Sequence, residues 1–587
     1  DRILSFNITC AGKSWGFPFV GADAQPYRET LDAFRPVLHH PEMLCVGHNI
    51  KFDLQCLWQA GYDIQCRMAD TMLAAYLLDE SLAGSEALNL RSRALVELGR
   101  ELKPFSAYSQ GGDLFASGPG IEEKGVQDTA ATLDLWLLYE PRLKKDPDLW
   151  KCFWDLLMPL VPVIAEMEMA GVTVDLVWMS ELKKQMERKA AGIEEEIAKI
   201  SGRRILVSST EQVSHLLFHE LGLEPKPFMR RDTKNFALKK SLGTGKTLWS
   251  TKEEVLVEYK DAHPVVPLIL DHRSATKLAN TYLTPFLTEA GADPEHRLRT
   301  HFWMTGTESG RLSSSDPVNL QNLPREKDKI RRGIIAAEGH TFIEADFSQL
   351  ELRLMADRSR DANMLRAYME DKDIHQMTQD ALSIKNRTAA KNCNFGIIYD
   401  MSPAGLQRQL WLKSGLRVSL SECERWIMGF FQQYAGVKRY HNEIRAQMDK
   451  NGYVKSLVGR YRRVKKLMQD DPGYAFRVAV NFTIQGAAAD LTGIAMRNLQ
   501  REIVKRRQTD ERWRRVRQVA QVHDALCVEA PEEIGEEALE LVKSTMEKAV
   551  QLPSGTPVMA NAGRGRSWQD AEADAKRRED AKLKKSA

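Results

Sequence analysis

The 587-residue chain is poor in cysteine: eight thiols are spread along its length and none forms a CxxC pair. That spacing excludes a zinc module and a disulfide framework, and it fits mostly buried thiols in a reducing compartment. Long apolar runs are also missing. The best candidate for a membrane span, FWDLLMPLVPVIAEMEMAGVTV (153–174), is broken by Asp155, Pro159, Pro162 and Glu166, so no membrane partner is expected. Nor is there an excess of one charge. Lys and Arg number 83 against 80 Asp and Glu, a formal net charge of +3, so any nucleic-acid surface must be local. No internal repeat or secretory signal is evident. GTGKT (243–247) fails as a phosphate loop because the first glycine of the full spacing falls on Lys240, and it reads as a flexible basic loop. The first residue is Asp rather than Met, as in a truncated or processed product. A cytoplasmic location is expected, and a targeting segment could have been lost upstream.

What is present begins with IEADFSQLELR (343–353). Ile343 to Phe347 reads as a short buried strand that ends where the polar Ser348, Gln349 and Glu351 follow, so Asp346 sits at a strand end. RVRQVAQVHDALCVEA (515–530) repeats the design: apolar positions at Val516, Val519 and Val522 lead to His523 and Asp524 at a hairpin turn. An aspartate at a strand end is ordinarily a cap or turn former. Two of them presented alike suit a hard divalent cation, which binds through one or two carboxylates plus substrate phosphates.

A third element separates these readings. In NRTAAKNCNFGIIYD (386–400), Arg387, Lys391, Phe395 and Tyr399 recur every four residues and so share one face of a helix. Cations suit a triphosphate and aromatic rings suit a base or sugar. The bland alternative is an amphipathic core helix with a solvated basic end. KSLVGRYRRVKK (455–466) and REIVKRRQTDERWRRVR (501–517) are strongly basic and lie beside these motifs, where DNA contact is one reading and solvated helix faces the other.

Together with GRLSSSDPVNLQNLP (310–324), DIH (373–375) and RVAVNFTIQGAAAD (477–490), these motifs resemble the family A DNA polymerases, bacterial DNA polymerase I and its phage relatives, over nearly the whole chain. The resemblance implies an α+β multidomain protein: a right-hand polymerase preceded by an α/β, RNase H-like 3′–5′ exonuclease domain. Residues 1–148 would be the exonuclease-like domain, with LKKDPDLW (143–150) as a polar boundary. Residues 149–587 would be the polymerase, with a thumb at about 176–290, a palm at about 291–358 and 487–565, fingers at about 359–486, and a charged tail at 570–587 expected as a frayed helix. Within the thumb, SELKKQMERKAAGIEEEIAKI (180–200) reads as a long amphipathic helix and RRDTKNFALKKSLGTGK (230–246) as a loop.

Carried over residue by residue, the resemblance makes Asp346 and Asp524 the holders of two Mg2+ ions, with Mn2+ able to substitute. Lys391 is a further catalytic residue that holds the triphosphate with Arg387 and His375. Phe395, Tyr399, Gln349 and Glu351 complete the dNTP site, with Glu351 excluding a 2′-hydroxyl. Arg311, Arg477, Asn481, Gln485 and His523 are implied contacts to primer–template DNA, where minor-groove acceptors are shared by all four base pairs. No motif points to a processivity partner.

The match has departures. The family usually has glutamate directly after the second aspartate, where this chain has Ala525, and commonly has glycine where it has Asp400. The segment between His375 and Arg387 also looks shorter than in the bacterial enzyme. In the amino-terminal part, CVGHNIKFDLQCL (45–57), ADTMLAAYLLDES (69–81) and VQDTAATLDLWLL (126–138) resemble the exonuclease domain. Asp53 and Asp128 match two of its four carboxylates. The first acidic strand has no counterpart, and Lys124 stands where a tyrosine is expected. This domain is therefore expected to be inactive and to brace the polymerase. The overall expectation is a DNA-dependent DNA polymerase. The alternatives are a non-catalytic DNA-binding relative, suggested by Ala525, and an exonuclease whose other half only grips DNA. A single-subunit RNA polymerase is disfavoured by Glu351.

Overall fold

The structure, a computed structural model, describes residues 3–19, 24–104, 121–225, 237–240, 247–324 and 330–586. In the amino-terminal part an antiparallel hairpin, Ser5–Cys10 with Lys13–Pro18, precedes a parallel pair, Leu44–Gly47 with Arg67–Asp70. Helices Tyr27–Leu38, Ile50–Gln59, Thr71–Leu78 and Ile121–Lys144 accompany them and bury Leu31, Ile50, Leu54, Leu73 and Leu135. Asp70 ends its strand and caps the next helix through Met72 N–H and Leu73 N–H.

LKKDPDLW joins two helices. The helix ends at Lys144, Asp146 caps a new helix at Pro147, and Asp146 accepts a hydrogen bond from the Tyr461 hydroxyl. The amino-terminal part is fastened to the remainder by buried polar contacts. Lys51 is bound to Glu168 at 2.5 Å and to the Phe302 carbonyl at 2.8 Å, and Tyr76 donates to the Thr307 carbonyl at 2.9 Å. Buried apolar residues of both parts belong to one continuous core.

The central sheet has four antiparallel strands in the order Arg517–Val522, Ala525–Pro531, His340–Phe347, Ala560–Gly565. The three-residue spacing of Val516, Val519 and Val522, which a regular strand would not give, is accommodated by a register shift between Gln518 and Ala520. The carboxy-terminal residues are not a frayed helix. Trp568–Ser586 lies along the Ala560–Gly565 strand, with Trp568 stacked on Phe342. A Cβ on Gly563 would stand 2.2 Å from Ala575 N, so only glycine admits this approach. Arg578 continues the anchoring with ion pairs to Glu536 and Asp574.

Leu176–Ser201 and Val265–Lys277 pack together around a second, separate core that includes Ile193, Ile197, Val213, Leu217 and Ile269. Of the segment 230–246 expected as a loop, Ala237–Lys240 is a strand paired with Thr247–Trp249. The rest of that segment, and GTGKT up to Lys246, lies outside the described residues. The helices Ile374–Leu382, Arg387–Ile397, Pro403–Ser414, Leu420–Gln433 and Ala435–Asn451 are inserted in sequence between the His340–Phe347 and Arg517–Val522 strands of the central sheet. Among the described residues no helix is long and apolar enough to cross a membrane.

Candidate active site

Asp346 is the penultimate residue of the His340–Phe347 strand, whose neighbours bury Ile343, Ala345 and Phe347. Asp524 lies in the two-residue turn between Val522 and Ala525, where His523 takes a left-handed φ of 56°. The strand that starts at Ala525 pairs directly with the Asp346 strand, and Phe347 N–H donates to the Asp524 carbonyl at 3.3 Å. The two sequence motifs therefore meet at one edge of the sheet. Gln321, which the motifs do not single out, fixes the turn. It accepts from His523 N–H at 2.9 Å and donates to the Gln521 carbonyl at 2.6 Å. It sits within the LQNLP run, and a glutamine between buried leucines was the available signal.

The turn after Asp346 is held by Arg353, which the motifs do not single out either. Its buried guanidinium donates to the Ser348 carbonyl at 2.9 Å and the Pro557 carbonyl at 2.8 Å, and it lies 4.5 Å from the centre of the Tyr368 ring. An arginine amid the apolar LELRLMA stretch was its mark. Gln349 adopts φ 52° and accepts from the Tyr368 hydroxyl at 3.2 Å.

Glu351, in the first turn of the next helix, is the meeting point of three motifs. Arg311 donates to it at 2.8 Å and stands 3.7 Å from Asp524. The Tyr399 hydroxyl donates to its other oxygen. Burial and the Glu351 carboxylate push the Tyr399 phenol well above its usual pKa.

The expected helix is Arg387–Ile397, capped by Asn386, so Tyr399 does not share its face as a helical residue. It follows in a turn, and Asp400 takes a left-handed φ of 58°. That conformation explains the departure from glycine: Asp is among the few residues that tolerate it, and Arg445 stands 3.7 Å from its carboxylate. At the helix start Arg387 is exposed and paired with Asp373 at 2.5 Å, and Lys391 is exposed one turn later. His375 is 2 % exposed, and its Nδ1 accepts from Asn394 at 2.9 Å. Burial, with Arg387 and Lys391 nearby and Asp373 opposing, lowers it to about 4, so it is neutral at pH 7. Phe395 lies 6.0 Å from the His375 ring.

Arg477 is exposed on the helix Pro472–Asn481; Asn481 ends that helix and Gln485 lies in the wider π-helical turn Phe482–Gly486. This element approaches the segment carrying Arg311: a Cβ on Gly486 would stand 3.4 Å from the Ser309 carbonyl oxygen. The two basic runs differ from expectation. Lys455 pairs with Asp148, Arg462 with Glu308, Arg463 with Glu80 and Arg460 with buried Asp490, so the first run is mostly joinery between parts of the fold. In the second, Arg506, Arg507, Arg512, Arg514 and Arg515 each pair with a nearby carboxylate.

In the amino-terminal domain Asp53 is exposed on the helix Ile50–Gln59, and Asp128 is in an ion pair with Lys124. Lys124, at the position where a tyrosine is expected, thus neutralises one of the two matched carboxylates.

Asp346 and Asp524, at the ends of paired antiparallel strands, are thus linked through Arg311 and Glu351 to the residue that follows the cationic helix. Residues 177–570 match DNA polymerase family A, and residues 18–92 match 3′-5′ exonuclease. The chain belongs to the family A DNA polymerases. It is 32 % identical over 576 residues to DNA polymerase I of Rhizobium leguminosarum, covering 94 % of this chain and 53 % of that one. It is 31 % identical to DNA polymerase I of Pseudomonas aeruginosa, covering 94 % and 59 %. The chain therefore spans little more than half the length of these curated relatives. It is also similar to a solved structure described as the POL domain of Pol1 from M. smegmatis in complex with DNA primer-template and dNTP, with 28 % identity, a TM-score of 0.81, and coverage of 97 % of this chain and 93 % of that one. The family uses divalent metal. Asp346 and Asp524 offer the hard oxygen donors that suit such an ion.

Proposed function

We propose that this chain performs template-directed DNA synthesis. The primer 3′-oxygen attacks the α-phosphorus of a dNTP, the bond from that phosphorus to the bridging oxygen of the β-phosphate breaks, pyrophosphate leaves, and the 3′-hydroxyl proton passes to solvent. The observation that carries this reading is the meeting of Asp346 and Asp524 at one sheet edge, tied through Arg311 and Glu351 to the end of the cationic helix. Two Mg2+ ions, or Mn2+ in their place, would be held by Asp346 and Asp524 and would supply Lewis acidity to the attacking and leaving oxygens.

The protein's own groups do the rest. Arg387 and Lys391 bind and offset triphosphate charge, and neutral His375 can donate one ring N–H to a phosphate oxygen. Phe395 and Tyr399 meet sugar and base. Glu351 excludes a 2′-hydroxyl, because its oxygens are already engaged by Arg311 and Tyr399 and a further polar group there would crowd them. Gln349 completes the dNTP site, and Arg311, Arg477, Asn481, Gln485 and His523 contact the primer–template. The domain limits are 1–148 for the exonuclease-like part and 149–587 for the polymerase part, with thumb, palm and fingers as set out above. The Lys124–Asp128 pair and the buried Lys51–Glu168 junction favour a bracing role for the first domain over degradation of DNA ends.

The test is primer extension with Mg2+ and the four dNTPs, then with rNTPs. Template-dependent products with dNTPs and few with rNTPs are expected. No extension under either condition would leave a DNA-binding relative as the better reading.

A further inference from the structure

Asp346 lies on an interior strand, so it has a direct partner on each side: Ala525 on one neighbouring strand and Asn561 on the other. Directly paired residues of an antiparallel sheet project to the same face, with Cβ atoms about 4.5–5.5 Å apart. Ala525 is 2 % exposed and offers only a methyl group. Asn561 is half-buried and carries a carboxamide that makes no side-chain hydrogen bond to another described residue. The face they share can be followed along the strands. Glu344, two residues before Asp346, pairs with Gly563 and accepts from Trp568 Nε1 at 2.9 Å, and Gly563 is covered by Ala571 and Ala575 of the carboxy-terminal helix. The helix thus fills this face as far as Gly563, and Asn561 is the next position toward the edge that holds Asp346.

Among the described residues no group of three or more His, Cys, Asp or Glu could hold a metal ion. Glu351, the carboxylate that shares Arg311 with Asp524, has its two oxygens engaged by Arg311 and Tyr399. Mg2+ demands near-octahedral oxygen coordination at about 2.1 Å and retains several waters. A side-chain oxygen at a directly paired position can meet the same ion, or one of its waters, without adding a third negative charge.

We infer that Asn561 is the third oxygen-supplying side chain of this metal edge, contributing its neutral carboxamide oxygen to the coordination sphere of the ion held by Asp346. This rests on the metal reading proposed above. A neutral donor binds a divalent ion less tightly than a carboxylate, so the site is tuned toward weak metal affinity.

The test is Mn2+ titration followed by electron paramagnetic resonance of the free ion. The full chain is bound to a primer–template ending in a dideoxynucleotide, with the matching dNTP, so that no turnover occurs. Asn561→Asp should tighten the Mn2+ dissociation constant by about threefold or more, and Asn561→Leu should weaken it by about tenfold. Wild-type constants in both would overturn the inference. If Asn561→Leu does not fold, Asn561→Asp decides alone, and an unchanged constant there overturns it. Asp346→Asn separates the two readings. Lost Mn2+ binding in Asp346→Asn with unchanged Asn561 variants removes only this inference, whereas unchanged binding in Asp346→Asn removes the metal reading beneath it.

Discussion

Tyr399 donates its phenolic hydrogen to Glu351 across 48 residues of sequence, and the same carboxylate accepts from Arg311, which stands 3.7 Å from Asp524. The residue proposed to read the sugar and one proposed to hold metal are therefore joined through a single guanidinium. A change at Glu351 should be felt at both.

Glu351→Ala should raise ribonucleotide incorporation relative to deoxynucleotide and also slow extension, because Arg311 and Tyr399 both lose a partner. Phe395→Tyr has no link to that carboxylate. From the family resemblance it should raise dideoxynucleotide termination and leave the ribose preference alone. Competition assays with paired nucleotides read both ratios, and unchanged ratios in both variants would remove the motif helix from the sugar site.

Asp346→Asn and Asp524→Asn should each reduce extension by more than about a thousandfold. Primer–template affinity should stay near wild type, because phosphate contacts by cations supply most of it. Single-turnover extension and a filter-binding titration separate the two quantities. Turnover within tenfold of wild type in either variant contradicts the assignment.

The chain should not shorten a mismatched primer end. Lys124 neutralises Asp128, which takes one of the two matched carboxylates out of metal binding. Metal-dependent loss of 3′ nucleotides that vanishes in Asp53→Ala and persists in Asp346→Asn would show the domain to be active.

His375 gives a pH prediction. Its folded pKa is about 4, below the ordinary 6.5, so the unfolded chain binds the proton more readily. Its contribution to stability is fully present above about pH 6.5 and is lost as the pH falls toward 4. The loss should be about 1–3 kcal/mol. Urea unfolding at pH 7, 5.5 and 4.5 should show a smaller decline for His375→Gln than for wild type, and parallel declines would contradict it.

How much of this was legible in the sequence follows the range of the interactions. The Asp346 strand, the 515–530 hairpin and the 387–397 helix were readable because each is specified by local periodicity and turn chemistry. The helix end was not. Tyr399 keeps the four-residue spacing but leaves the helical face, and the turn at Asp400 that takes it there carries no glycine to announce it.

The basic runs show a different limit. Sequence gives their charge, but Arg460, Arg462 and Arg463 find Asp490, Glu308 and Glu80 only after distant segments are packed together. The carboxy-terminal helix is similar: its charge pattern suggests fraying, whereas Gly563 and Gly565 leave room for its close approach and its Trp568 stacks on Phe342.

Two strand-end aspartates, a cationic helix, and an amino-terminal domain with two matched carboxylates can be read from the chain alone. Those pieces are set by side-chain identity and short-range spacing, which the chain carries with it. Folding joins Arg311 to Tyr399 through Glu351, turns Lys124 onto Asp128, and sets Asn561 beside Asp346. Two of these depend on contacts between segments far apart in sequence. The third, the Lys124–Asp128 pair, is spaced for a helix but still requires the helix to form and both side chains to turn toward each other. Strand register fixes the Asn561 neighbour, and a shift of one residue would place its side chain on the opposite face of the sheet.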